Sequence, residues 1–382
     1  MEGVSIYVHI PFCRSRCVYC DFVSNACADI PVEKYVDAVM SELAYRSRFM
    51  DAESNVTSVY IGGGTPSLFP AAAISSIVTA AAALRNAPVE ITVEMNPGDV
   101  NSAWIDELTS VGVNRFSLGV QAMSDERLAW LGRRHSVADA VRGLDMLKAA
   151  GVDNISLDFI YATPGQTTAQ MTDEVRRLCD LEVGHVSAYE LTIADGTPLA
   201  GRDVTLPDEE LRVEQWVQLG EVLSSYGLQR YEVSNFAVPG KRSVHNGHYW
   251  RGGQYLGIGA GAHGFVRIGD RALRYGNGPS LPLYLRRSAA ADVNHNFAIF
   301  WGNGFEESLS ELDLARERIM LGLRCVDGID VRRISVLMNA HPSAGKILRR
   351  LVKEGMLLER GDFLVPSAQA MLVADTLALQ FF

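Results

Sequence analysis

The sequence predicts an α/β protein with a largely parallel sheet, followed by a small C-terminal α+β module. Three observations carry this expectation. Over about the first 190 residues, short β-rich apolar runs alternate with segments of helical periodicity, the crossover pattern that parallel neighbours require. Past about residue 200 the rhythm gives way to one long helical run and then to a Gly- and aromatic-rich stretch from Tyr231 to Tyr275. The last ~75 residues combine helical runs with "LLERGDFLVP" (Leu357 to Pro366), whose Arg-Gly-Asp turn marks a β-hairpin.

Six strands are expected in the first part: Ser5 to Ile10, Ser58 to Ile61, Glu90 to Met95, Arg115 to Val120, Asn154 to Tyr161 and His185 to Leu191. Between them, Val32, Tyr35, Val36, Val39, Met40 and Leu43 keep to one helical face, with Pro31 near the first turn. "SVAD" from Ser136 and "TTAQ" from Thr167 resemble capping boxes, and Gly112 and Gly151 sit where helices would stop. A six-unit barrel and a doubly wound sheet both satisfy this alternation. In either fold, ligands gather at the carboxyl ends of the strands. The unusual residues lie there: three cysteines after the first strand, "GGGTPS" (Gly62 to Ser67) after the second, Glu94 in "EMNPG" on the third, Gln121 after the fourth and Asp158 on the fifth.

"LPDEELRVEQWVQLGEVLSSYGLQ" reads as a long helix, and Pro279 and Pro282 mark a connection. The expected organisation is a main unit over 1–275, a connection over 276–305 and a winged-helix-like module over 306–382. Acids and bases nearly balance in that module, which favours a packing lid over a DNA-binding wing.

The chain has 382 residues and a formal net charge of −10 without a block of Lys or Arg, so a phosphate backbone would meet mostly like charge. The apolar segments Ala71 to Leu84 and Ala370 to Phe382 are too short to span a bilayer, and no secretory signal precedes the first strand. A cytoplasmic location is expected.

Half of the six cysteines fall in "CRSRCVYC", as Cys13, Cys17 and Cys20; the others are Cys27, Cys179 and Cys325. In a large chain of this kind the cluster points to metal or redox chemistry rather than to disulfides. Three thiolates can hold three corners of an iron–sulfur cube and leave one iron open for a substrate. Structural zinc normally takes a second ligand pair, which neither Cys179 nor Cys325 supplies as a CxxC, and inert thiols are the third reading. Cys27, seven residues past Cys20, is a conceivable fourth ligand without a clear role.

"CRSRCVYC" after a strand resembles the cluster loop of radical S-adenosylmethionine (SAM) proteins. "VEMNP", "RFSLGVQ", "LGRRH" and "SLDFIYATPGQT" follow in the order of the oxygen-independent coproporphyrinogen III oxidase group. That resemblance covers nearly the whole chain and implies a partial (β/α)6 TIM-type barrel with the small C-terminal domain. It implies a [4Fe-4S] cluster on Cys13, Cys17 and Cys20, with the SAM methionyl group on its open iron. It also implies that the backbone of Gly63, Gly64 and Thr65 receives the SAM amine, and that Tyr7, Tyr19, Glu94, Gln121, Arg133 and Asp158 touch SAM. The acids would suit ribose hydroxyls or the cationic groups of SAM, and Arg133 a carboxylate.

Two branches share these motifs: oxidases that decarboxylate porphyrinogen propionates, and the HemW branch, regarded as haem chaperones. Phe22 stands where oxidase loops carry a further cysteine, the first strand begins almost at Met1 without the oxidase extension, and "HNGHYW" (His245 to Trp250) matches the HNxxYW motif of HemW. By this resemblance His245, which occupies the motif position, is the expected haem ligand ahead of His248 and of His263, while His9 is read as structural. A haem-accepting protein and a reductant such as a flavodoxin or ferredoxin are the implied partners, with peripheral contact to membrane haemoproteins. The alternative is radical chemistry on a porphyrinogen of the oxidase type.

Overall fold

The computed structural model describes residues 3–51, 53–269, 271–289 and 304–382. β1 (Val4–Ile10) leads into the cysteine loop, where β2 (Phe12–Cys13) and β3 (Asn25–Ala26) pair in parallel. Then come β4 (Val56–Gly63), β5 (Glu90–Met95), β6 (Arg115–Gln121), β7 (Ile155–Tyr161) and β8 (His185–Glu190). β1 and β4 to β8 are the six expected strands, and they pair in parallel in sequence order. Helices α1 (Val32–Arg46), α2 (Ala71–Ala82), α3 (Ser102–Ser110), α4 (Asp125–Trp130), α5 (Val137–Ala149) and α6 (Thr168–Cys179) make the crossovers. Both expected capping boxes form, Ser136 with Asp139 and Thr167 with Gln170. Gly112 and Gly151 end their helices at φ of 96° and 77°, a conformation glycine adopts without steric cost.

Each parallel strand alternates polar and apolar residues. Val4, Ile6, Val8 and Ile10 of β1 point outward into the main core with Val59, Ile61, Ile91, Val93, Phe116 and Leu118, where the helices cover them. Ser5, Tyr7 and His9 point the other way, and the inward residues bond one another between neighbouring strands: Ser5 with Ser58 at 2.8 Å, Tyr60 with Glu94 at 2.8 Å, Ser117 with Asp158 at 3.0 Å and Ser156 with His185 at 2.8 Å. The interior is thus a polar column inside an apolar shell, unlike a barrel filled with branched aliphatic side chains.

The Gly- and aromatic-rich stretch holds more sheet than the sequence reading assigned to it. After α7 (Glu209–Ser225), β9 (Gln229–Arg230) and β10 (Asn235–Ala237) add antiparallel to β8. After α8 (Val244–Trp250), β11 (Gln254–Ile258) pairs parallel with β1 on its other side. β12 (His263–Ile268), β13 (Arg271–Gly276) and, past α9 (Leu281–Ala289), β14 (Phe305–Leu309) continue antiparallel. Among the described residues these form one twelve-stranded sheet with β14 and β9 at its edges, so the barrel is open. Glycine hides these strands from propensity because the packing excludes side chains: a Cβ on Gly257 would lie 1.7 Å from the His263 carbonyl oxygen. Of the expected connection over 276–305, 281–289 form α9 and 290–303 lie outside the described residues.

A buried polar cluster ties α9 and the β11 end to α1. Glu42 accepts hydrogen bonds from Arg46 Nε (2.6 Å), Tyr284 Oη (2.7 Å), Asn277 Nδ2 (2.8 Å) and the Gly259 amide (2.9 Å). The C-terminal module has a separate core, including Ile319, Leu337, Leu348 and Leu364. There α10 (Glu311–Gly322), β15 (Ile329–Asp330), α11 (Ser335–Ala340), α12 (Pro342–Lys353) and the hairpin of β16 (Leu357–Arg360) and β17 (Phe363–Pro366) give the winged-helix-like order. Two backbone bonds, Val326 N to Tyr231 O and Val233 N to Arg324 O, each 3.0 Å, dock it on the barrel.

Candidate functional site

A cavity of about 530 Å³ opens at the carboxyl ends of the parallel strands. Cys13, Cys17 and Cys20 line it together with Tyr19, Gly63, Gly64, Thr65, Glu94, Gln121, Arg133 and Asp158. Tyr7 and His245 do not; both lie deeper in the barrel interior.

The cysteine loop is held from three sides. His9 Nε2 bonds the Val23 carbonyl (2.7 Å) and Nδ1 the Tyr7 hydroxyl (2.9 Å), which is the structural role expected of it. The Cys27 amide reaches the Cys13 carbonyl (3.3 Å), and the Leu199 amide the Val18 carbonyl (2.8 Å), while Val18 itself packs among Leu128, Leu131 and Leu199. Thr65 donates to Cys13 Sγ and Arg133 Nη1 to Cys17 Sγ, each at 3.5 Å. Burial pushes the Cys13 thiol up and that of Cys20 up to about 11. Among the described residues no three His, Cys, Asp or Glu side chains are gathered at metal-holding distance.

Two features nevertheless fit an iron–sulfur cluster and a polar cofactor beside it. The donor set is three thiols with the Arg133 guanidinium beside Cys17, which suits iron in a sulfur environment. A Cβ on Gly64 would stand 3.0 Å from Cys13 Sγ and 2.6 Å from the Phe12 carbonyl oxygen, so glycine lets the strand end lie against that thiol. Arg133 is stretched across the cavity wall by Asn96 Oδ1 (2.5 Å) and the Gly119 carbonyl (3.0 Å), and its buried Nε has no hydrogen-bond partner. A buried guanidinium nitrogen left in that state is costly unless a ligand meets it.

The two carboxylates occupy distinct environments. Glu94 accepts from the Tyr60 hydroxyl (2.8 Å) and the Gly63 amide (3.0 Å), and burial raises its pKa to about 7. Asp158 accepts from Ser117 Oγ at 3.0 and 3.3 Å, and burial raises it to about 6. Gln121 reaches the cavity from a left-handed backbone, φ 68°, which costs a non-glycine residue roughly 1 kcal/mol or more. Functional sites are where such outliers collect.

His245 is placed differently from the cavity residues. It is buried on α8, near the amino ends of the strands, with Nδ1 2.8 Å from Ser58 Oγ and Nε2 2.7 Å from the Tyr249 hydroxyl. Burial lowers its pKa to about 3, so the ring is neutral. Both nitrogens are therefore engaged inside the protein. His248 is buried as well, with Nε2 on the Gln254 carbonyl (2.7 Å), whereas His263 is exposed beside Phe305.

Two residues that support the site were not singled out from the sequence, Asn96 in the cavity wall and Tyr60 behind it. Asn96 binds Arg133 and Thr65 at once, and Tyr60 holds Glu94. Asn96 lies inside the quoted "VEMNP" stretch; Tyr60 is marked only by the period-2 polar alternation of its strand.

Residues 7–178 match the family model of the radical SAM superfamily, and residues 309–373 that of the HemN C-terminal domain. The heme chaperone HemW of Lactococcus lactis is 35% identical over 86% of this chain and 83% of that relative. The heme chaperone HemW of Escherichia coli is 37% identical over 72% and 73%. The mitochondrial radical S-adenosyl methionine domain-containing protein 1 of Danio rerio is 33% identical over 85% and 73%. Among solved structures, coproporphyrinogen III oxidase (HemN) from Escherichia coli aligns with a TM-score of 0.82 over 100% of this chain and 90% of that one, at 22% identity, a likeness of fold. No helix among the described residues is long and apolar enough to cross a membrane.

Proposed function

Because this chain belongs to the HemW family of radical SAM proteins, we propose that it is a haem chaperone that binds a [4Fe-4S] cluster and SAM in the strand-end cavity and passes haem to an acceptor protein. The observation that carries the reading is the convergence on one cavity of the three loop cysteines, the Gly63–Thr65 turn, Glu94, Gln121, Arg133 and Asp158. Cys13, Cys17 and Cys20 would hold the cluster there, and it would supply the one-electron chemistry and an iron able to take a ligand from SAM. The chain's own part is to bind and orient: Arg133 offers its free Nε to a carboxylate, Gly63 and Gly64 let backbone approach the ligand, and Glu94 and Asp158 offer charge to the sulfonium or hydrogen bonds to the ribose.

The carboxylates make the proposal pH-sensitive. Glu94 faces Tyr60, Tyr7, Tyr189, Asp158 and the Gly63 amide, and Asp158 faces Ser117, Ser187, Arg115 and Arg133. Without ligand, both bind protons between their ordinary values and about pH 6 to 7, and a cationic ligand favours the ionised forms. SAM affinity is therefore expected to rise between pH 6 and 8 with net proton release, measurable by calorimetry in buffers of different ionisation heat. A flat profile would remove the carboxylates from SAM.

For haem, His245 is the proposed ligand, and iron would have to take Nε2 from Tyr249 or Nδ1 from Ser58. Haemin titration of anaerobically reconstituted protein is expected to lose its haem spectrum in His245→Ala. Tyr249→Phe frees Nε2 and is expected to tighten haem about three- to tenfold, the range of one net hydrogen bond. Undiminished haem binding in His245→Ala would take His245 out of the site. Release of CO2 from coproporphyrinogen by the same material would instead favour the oxidase reading.

A further inference from the structure

His245 stands at the amino end of the barrel, yet it is linked to the cavity at the other end. The α8 amides of Val244 and His245 and the Ser243 hydroxyl all donate to Glu90, at 2.9, 2.9 and 3.3 Å, which seats the helix in the barrel floor. The imidazole is then fixed through both nitrogens, by Ser58, itself bonded to Ser5, and by Tyr249. Its face packs on the Tyr60 ring at 5.0 Å between centroids, with Tyr7 at 6.5 Å.

Tyr60 spans the distance to the site. One end of its ring rests on His245, and its hydroxyl donates to Glu94 Oε1. Glu94 Oε2 receives the amide of Gly63, in the turn read as the seat of the SAM amine. Gly62 leaves no slack above the ring, since a Cβ there would lie 2.8 Å from Tyr60 Cε1 and 2.9 Å from Glu94 Cδ. Ser58, Tyr60 and Gly62 share one face of β4 by strand alternation, and against that face lie the His245 imidazole from α8 and the Glu94 carboxylate from β5.

We infer that His245 is a positioning residue for the SAM cavity, setting the Tyr60 ring and, through its hydroxyl, the Glu94 carboxylate and the Gly63 turn. The HNGHYW segment thereby serves the cofactor site whether or not its histidine also meets haem. By linkage, a ligand that pulled His245 away from Tyr60 would alter SAM affinity, and SAM would alter that ligand's affinity by the same factor.

The inference rests on the reading that SAM occupies the cavity. Its test is the SAM dissociation constant, by equilibrium dialysis of anaerobically reconstituted full-length protein, for wild type, His245→Phe, Tyr60→Phe and the double variant. Each single variant is expected to weaken SAM about three- to tenfold, and the double no more than Tyr60→Phe alone, because the histidine acts through the tyrosine. His245→Gln, whose amide can serve both Ser58 and Tyr249, is expected to restore most of the affinity. Ser58→Ala is the milder variant should His245→Phe not fold; its weakening is expected to vanish in the Tyr60→Phe background. Unchanged affinity in the His245 and Ser58 variants, or losses that add in the double, would overturn the inference while leaving the SAM reading intact. Wild-type protein with a full cluster and no SAM affinity would overturn both.

Discussion

Cys17→Ser protein, purified and reconstituted without oxygen, is expected to lose nearly all of its cluster iron and sulfide while keeping its fold. A serine hydroxyl does not ionise at neutral pH and is a poor iron ligand, and two remaining thiolates do not hold a cube. The fold should survive because Cys17 is only half-buried and the loop is anchored by backbone bonds on either side of it. Cys27→Ser is the informative control. Cys27 lies outside the cavity lining and joins the loop through its amide, so full iron content is expected. Iron and sulfide assays with circular dichroism read both variants, and a Cys17→Ser chain holding a complete cluster would remove the loop from the site.

Glu42→Leu should cost roughly 3–5 kcal/mol, the usual penalty for stranding half of a buried ion pair. Glu42 and Arg46 are 0% and 2% exposed, and the carboxylate is the acceptor on which Arg46, Asn277, Tyr284 and Gly259 converge. The loss should appear as a lower urea midpoint. Adding Arg46→Met should recover much of it, because the uncompensated charge then leaves the interior. A double variant as unstable as the single one would mean that the hydrogen bonds to Asn277 and Tyr284, rather than the charge, make the difference.

Much of this was legible in the sequence because the parallel strands are short, β-branched and punctuated by caps that work locally. The six strands lie within two residues of their expected bounds, since Ser136–Asp139 and Thr167–Gln170 specify helix starts without help from the rest of the fold. The cavity residues were legible for another reason: strand ends carry chemistry in this architecture, and the motifs mark those ends. What escaped were β11 to β13, whose glycines lower strand propensity where two backbones nearly touch. The floor position of His245 also escaped, because its contacts with Ser58, Glu90 and Tyr60 lie more than 150 residues away along the chain. A motif names a residue type; only the topology says which end of the barrel it reaches.

The polar column also decides what can stand alone. Residues 7–178 carry the hallmark of the superfamily, but the plug beneath them and the neighbour of their first strand come from residues 243–258. A piece ending near residue 200 would be a vessel without a base, with Glu90, Arg115 and Ser58 open to water and one side of β1 unpaired. During synthesis the strands emerge long before the segment that seals them, so the nascent barrel waits as an incomplete intermediate. Biochemistry performed on the hallmark fragment would describe that intermediate rather than the finished protein.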